Sequence, residues 1–359
     1  MPRNILKKKK QTVLQQLWNT RLSDYVTAIA WSPDGTQLAA SSGAGEIVLY
    51  TPATDESICL QPSQGKSVDA LAISADGKFL AAGGQAGTVC IWQIDRDSPT
   101  LLTTLEHART WIDRLQWHPS SPELAFSFGR YVQVWHAVEQ TVVTTLNFED
   151  SSVLDLAWHP QGKELSLGGN QSIKTWQCQD WDKDPDMREV GGASVEVAWS
   201  PDGKYLASGN NDRAVLVWEK EYPAPWRMQG FPGKVRQLAW SNPTVRDAPL
   251  LASISVEGVV VWTKAADEAA GWTPQVLEDH EGMVQAIAFQ PNTLLLASAA
   301  EDGRLYLWQK ARRIAQTLKG AAAGFSCLTW SNQGTALAAG GSGGELLVWT
   351  ETTKGRGFK

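Results

Sequence analysis

The chain has 359 residues, 43% of them apolar, and a formal charge of −6. Residues 1–10 carry +5 and residues 351–359 carry +2, leaving −13 on the body, and an acidic body excludes nucleic acid as the principal partner, because phosphate binding needs a broad basic surface. No run of about 18 apolar residues occurs, and the N-terminus lacks the apolar core of a secretory signal, so a cytoplasmic protein is expected; Cys59, Cys90, Cys178 and Cys327 stand too far apart for a zinc knuckle or a redox motif.

Residues 1–11 read as a basic, solvated tail, in which Lys7, Lys8, Lys9 and Lys10 offer the one route to an anionic membrane surface. TVLQQL, residues 12–17, reads as a strand. From residue 26 a pattern begins that recurs to the end: VTAIAWSPDG, VDALAISADG, IDRLQWHPSS, VLDLAWHPQG, VEVAWSPDG, VRQLAWSNP, VQAIAFQPN and FSCLTWSNQG. Its anchors are Trp31, Ile73, Trp117, Trp158, Trp199, Trp240, Phe289 and Trp330, and a second series follows at Tyr50, Trp92, Trp135, Trp176, Trp218, Trp262, Trp308 and Trp349. Between them run a turn, a Leu-Ala-Ser type segment and a Gly-rich turn. That alternation predicts short antiparallel strands, named a to d within each unit, with a ending at the first anchor and c at the second. A unit of about 41 residues cannot bury its own faces, so neighbouring units must pack on one another.

On these eight copies in register, covering roughly residues 12–350, the chain resembles the WD-repeat family of β-propellers. The resemblance implies an all-β fold: an eight-bladed propeller of four-stranded antiparallel blades, with seven blades plus an irregular sheet as the alternative. The last unit lacks a strand d, which residues 12–17 can supply, closing the ring. Residues 12–350 then form one domain, flanked by the basic tail and by the short segment 351–359.

The family pattern also implies a buried tetrad, and one unit has all four residues: His280, Ser298, Asp302 and Trp308. Elsewhere the Asp position holds Ala44, Ala86, Gly129, Asn170 or Gly343, and unit six has Glu257 in a turn one residue shorter. Enzyme motifs are scarce. There is no complete Walker loop and no His-Glu-x-x-His, and Gly-rich pieces such as GGQAG and GGSGGE fall at b to c turns, where they are turn glycines. His118 and His159 occupy equivalent positions after strand a of adjacent units, but no third metal ligand accompanies them. No cofactor is implied.

Resemblance to WD-repeat proteins implies instead a non-catalytic scaffold or adaptor, a monomer or a subunit of a complex, that binds protein partners on the face carrying the d to a loops and b to c turns. Residues expected there are Tyr25, Trp111, Phe128, Leu154, Arg236, Met283 and Glu301; Trp111 and Phe128 stand out as aromatics outside the core series. The alternative is an enzyme or small-molecule binder using Asp69, Asp113, Glu196 and Glu301 at the channel mouth. Unit six carries two insertions on the opposite face, SNPTVRDAP and TKAADEAAGWTPQ, the second containing Trp272. Finally, QCQDWDKDPDMREVGG sets Asp180, Asp182, Asp184 and Asp186 at alternate positions, but Pro185 and Gly191 break an EF-hand pattern. Alignment with TVVTTL of unit three makes residues 182–187 the outer strand of unit four, weakened by charge and proline, with few ladder bonds at 182–186.

Overall fold

The first hairpin of each unit is set by local turn chemistry. In SPDG of unit one, Ser32 Oγ donates to Asp34 Oδ1 (2.5 Å) and accepts from Gln37 N (2.9 Å), and Gly35 takes φ +71°, a left-handed value open to glycine at no steric cost. The same lock recurs at Ser74 with Asp76 and at Ser200 with Asp202. In units three and four a histidine replaces the serine. His118 Nδ1 accepts from Ser121 N (2.9 Å), and its Nε2–H donates to Gly162 O (3.0 Å) in the next unit. His159 does likewise with Gln161 N (3.1 Å) and Gly203 O (3.4 Å). Both ring nitrogens are thus committed, and neither histidine has a lone pair left for a metal.

The computed structural model describes residues 13–351 apart from 96–97, 108–109, 221, 223 and 268–269; the Lys7–Lys10 tail and residues 352–359 lie outside the described residues. Among those described there is no α-helix, and every strand pairing is antiparallel. Unit one is the meander Val26–Trp31, Leu38–Ser42, Ile47–Thr51 and Glu56–Gln61. Units two, three, six and seven repeat this four-stranded order. Units four and five share one seven-stranded sheet, because strand Asp186–Trp199 runs unbroken from the outer edge of one to the inner edge of the next. Unit eight supplies Phe325–Trp330, Ala336–Gly341 and Glu345–Glu351, and its fourth strand is Leu14–Arg21 from the start of the chain.

The innermost strands pack in sequence from Val26–Trp31 through Val68–Ile73, Leu115–Trp117, Asp155–Trp158, residues 194–199, Gln237–Val245 and Val284–Phe289 to Phe325–Trp330. This last strand packs back on Val26–Trp31, where Ser326 Oγ donates to Val26 O (2.6 Å). Neighbouring innermost strands form no backbone ladder with one another, so their carbonyls need other donors. The anchor tryptophans provide them. Trp117 Nε1 donates to Ala72 O, Trp158 Nε1 to Gln116 O and Trp240 Nε1 to Ala198 O, each at 3.1 Å, and Trp330 Nε1 to Ala288 O at 3.3 Å. Each indole reaches the residue just before the preceding unit's anchor. This linkage, together with burial between sheets, accounts for most of the 18 tryptophans of the chain, with Trp111 an exposed exception.

Four expectations need correction. The N-terminal strand extends past residue 17, covering Leu14–Arg21, because it follows the partner strand Glu345–Glu351, pairing with it on both sides of a bulge at Leu17; residue 12 of the expected segment lies outside the described residues. The outer strand of unit four begins at Asp186, which pairs with Thr175, whereas residues 182–185 lie in no strand. The insertion SNPTVRDAP is no free loop: Thr244 pairs with Pro249 and Val245 with Ala248, and Arg246 and Asp247 take φ +56° and +66°, as in a tight two-residue hairpin turn. Trp272 is likewise no surface residue; it is buried at the start of strand Trp272–Leu277, its ring 5.6 Å from Tyr205 and 5.7 Å from Trp240.

Candidate functional site

The seven side chains expected on the turn face fall into separate groups. Tyr25 is 41% exposed and its ring lies over Gly43, where a Cβ would meet it at 2.1 Å. Trp111 is 59% exposed, on the loop before the innermost strand of unit three. Phe128, half-buried at the b to c turn of the same unit, stacks on His107 (4.2 Å) and on Tyr131 (5.6 Å). Leu154 is half-buried in unit four, where its N–H donates to Gly168 O (2.8 Å). The remaining three come together between units six and seven. Arg236 Nη2 donates to Val284 O (2.6 Å), Gln285 Nε2 donates to Glu301 Oε1, and Glu301 N donates to Met283 O (3.0 Å). Arg236 is therefore occupied as an inter-unit clasp, and burial lowers its pKa from the ordinary guanidinium value.

Of the four carboxylates expected at the mouth, Asp69 accepts from Ser67 Oγ, Asp113 is exposed and Glu301 is held by Gln285. Glu196 differs. The sequence places Ser194 and Glu196 either side of Val195, but the register shift between Ser194 and Glu196 makes buried Ser194 the counterpart of Val26, and Glu196 the counterpart of Asp155. Sequence reasoning also missed the row this creates. Arg114, Asp155, Glu196 and Gln237 stand three residues before consecutive anchors, where the other four units carry Ala28, Ala70, Ala286 and Cys327. Arg114 Nε donates to Asp155 Oδ1 (2.9 Å), Val197 N to Asp155 Oδ2 (2.7 Å), Leu238 N to Glu196, and Ile287 N to Gln237 Oε1 (2.8 Å). Each acceptor satisfies an N–H on the next unit's innermost strand, so this half of the inner wall is stitched through side chains. Burial raises the pKa of Asp155 despite Arg114 beside it; burial and the Asp155 charge together hold Glu196 well above the ordinary carboxylate range.

The four tetrad residues are brought together. Trp308 Nε1 donates to Ser298 Oγ (2.8 Å), Ser298 Oγ lies 2.7 Å from His280 Nε2, and His280 Nδ1 lies 3.2 Å from Asp302 Oδ2. Asp302 also accepts from Glu281 N (3.1 Å) and Arg304 N (2.9 Å). Burial lowers the His280 pKa, with Asp302 opposing, and a neutral imidazole with its proton on Nδ1 completes a chain in which every member has a partner. Unit six keeps only one pair of this set, Trp262 Nε1 to Ser253 Oγ (3.0 Å). Among the described residues no group of three or more His, Cys, Asp or Glu is placed to hold a metal ion, and no helix is long and apolar enough to cross a membrane.

Comparison with known proteins agrees with this architecture. The family model for the WD domain, G-beta repeat, matches residues 14–51, 57–93, 191–219, 271–309 and 312–350, slightly more than half of the chain. The first three strands of units three, four and six fall outside those stretches; in these units His118 and His159 replace the turn serine, or the b to c turn is short. A protein of Emericella nidulans described as protein transport protein sec13 is 30% identical over 105 residues, 28% of this chain and 33% of its own length. Proteins of the same description from Aspergillus clavatus and Aspergillus fumigatus are each 28% identical over 105 residues, covering 35% and 34% of their lengths. The match thus spans about a third of each of these curated relatives. With its repeat series, its antiparallel sheets and these matches, the chain belongs to the WD-repeat family.

Proposed function

We propose that the protein is a non-catalytic scaffold that binds another protein on its turn face, built as an eight-bladed propeller whose ring is closed by strand Leu14–Arg21. The observation that carries the binding reading is Trp111, a large aromatic more than half exposed on the loop before the innermost strand of unit three, the unit whose b to c turn carries the partly open rings of Phe128 and Tyr131. Large exposed aromatics on a rigid frame are what interface hot spots use. The packing of Phe325–Trp330 on Val26–Trp31 and the pairing of Leu14–Arg21 with Glu345–Glu351 support the blade count and the closure. Partners are then proteins, with the chain acting alone or as a subunit of a complex in the cytoplasm. The relatives' description as protein transport proteins suits a scaffold role, on the shared third of their length.

The test is affinity purification with wild-type bait and with a Trp111→Ala, Phe128→Ala double variant of unchanged thermal stability. Partners recovered by the first and lost from the second support this face; equal recovery refutes it.

A further inference from the structure

A cleft of about 620 Å³ opens on the turn face between units five and six. Two local features shape it. The outer strand of unit five, Trp226–Met228, is three residues long, against seven in its counterpart Arg313–Lys319. The outer strand of unit six, Trp272–Leu277, lines the cleft with Pro274 and Val276, the latter 52% exposed. Second, Val260 pairs with Ser253 as Tyr306 pairs with Ser298, so a small side chain stands where unit seven has a large one. Tyr306 fills its own site, its ring 4.6 Å from His280 and its hydroxyl donating to Asp279 O (3.2 Å). Around Val260 the corresponding space is open: a Cβ added to Gly230 or to Gly258, both at the cleft, would meet nothing within 4 Å.

The walls are apolar, formed by Phe231, Val260, Trp262 and Val276, and the rim carries Glu257 and Glu278, both exposed. A cavity of this size, with a few polar groups around an apolar floor, is typical of a ligand site. Its depth selects a bulky apolar side chain, and its two carboxylates select a neighbouring cation. We propose that the cleft takes an extended segment of a partner protein carrying an aromatic or large aliphatic residue next to a lysine or arginine. This rests on the scaffold reading for its choice of a protein partner, and it is independent of Trp111 and Phe128. The apolar anchor supplies the affinity; the rim carboxylates, open to water, supply selectivity more than strength.

The probes are two capped dipeptides, acetyl-Phe-Arg-amide and acetyl-Phe-Glu-amide, titrated into the full chain while the amide signals of Gly230 and Gly258 and the indole N–H of Trp262 are followed by NMR. The expected result is saturable movement of these signals, with the Arg dipeptide about threefold tighter than the Glu dipeptide. Val260→Tyr, which installs the residue unit seven carries, should abolish the response. Glu257→Lys with Glu278→Lys, confined to the surface, should reverse the preference and decides the matter should Val260→Tyr not fold. Absence of saturable movement, equal affinity of the two dipeptides, or an unchanged response in folded Val260→Tyr overturns the proposal. Should the dipeptides bind while wild-type bait captures no protein partner, the scaffold reading fails and the cleft chemistry stands. Should partners be captured and neither dipeptide bind, the cleft proposal fails alone.

Discussion

Trp18 lies at the proposed closure of the ring, and its removal tests whether strand Leu14–Arg21 is integral to the fold. The side chain is 8% exposed and packs with Leu22, Leu38, Ala40, Tyr50, Leu346 and Val348, residues of units eight and one. Its ring centroid is 5.0 Å from that of Tyr50, and its Nε1 donates to Asp55 Oδ1 (2.5 Å). A tryptophan buries about 150–250 Å², which at about 25 cal/mol per Å² gives an upper estimate of ~4–6 kcal/mol. Measured Trp→Ala changes in cores cost about 3–5 kcal/mol. Trp18→Ala is therefore expected to cost about 4 kcal/mol, a large part of the ~5–15 kcal/mol that holds a typical domain together. Trp18→Phe keeps a ring against Tyr50 and loses only the bond to Asp55, an exposed residue whose carboxylate returns to water, so its bond accounts for only about 0.5–1.5 kcal/mol. Equilibrium urea unfolding of wild type, both variants and the exposed control Leu101→Ala gives these differences directly. If Trp18→Ala stays within about 1 kcal/mol of wild type, the strand is an appendage to unit eight and the closure argument falls.

Three further outcomes are expected. Ser298→Ala leaves Trp308 Nε1 and His280 Nε2 without partners and should cost about 2–5 kcal/mol, whereas Ser253→Ala strands only Trp262 Nε1 and should cost about 1–3 kcal/mol; equal shifts in urea midpoint would refute the network reading. Glu196 holds its proton more tightly folded than unfolded, so its contribution is full at low pH and is lost as pH rises through the raised folded value. Glu196→Gln, which keeps an acceptor for Leu238 N, should therefore gain thermal stability relative to wild type as pH is raised from about 4.3 toward alkaline; parallel melting curves across that range would count against a buried, protonated Glu196. Val138→Ala, at an exposed site in the turn between the third and fourth strands of unit three, should change stability by less than about 0.5 kcal/mol, and a larger loss would show that this turn is packed more tightly than its exposure implies.

Much of the fold was legible because its determinants are short-range. The Ser-Pro-Asp-Gly lock spans six residues, Ser32 to Gln37, the anchor tryptophans repeat in register, and the tetrad of unit seven stands at family spacing. The candidate site was less legible. Trp111 and Tyr25 are exposed as expected, but Arg236 is occupied by Val284 O, Phe128 is covered on one side by His107, and Trp272 is buried. Unit five reads one residue out of step because polar Ser194 holds the buried position that Val26 holds in unit one, and the apolar Val195 beside it takes its place in the pattern; the β-bulge there is shared with units one, two, seven and eight. The aspartates at 180–186 behave partly as expected: residues 182–185 stay outside the sheet, but the strand they were assigned to starts at Asp186 and continues directly into unit five.

The sequence by itself determined the class of fold, the repeat and most strand and turn positions, since alternation and turn chemistry act between residues a few positions apart. Tertiary structure alone decided which units meet and what their meeting leaves over. The row Arg114, Asp155, Glu196 and Gln237 was open to alignment, but no local signal says that each side chain bonds the next unit. The cleft beside Val260 exists because one unit's short outer strand and another's small side chain fall side by side, and such a coincidence between distant segments is fixed by packing between sheets, not by any pattern along the chain.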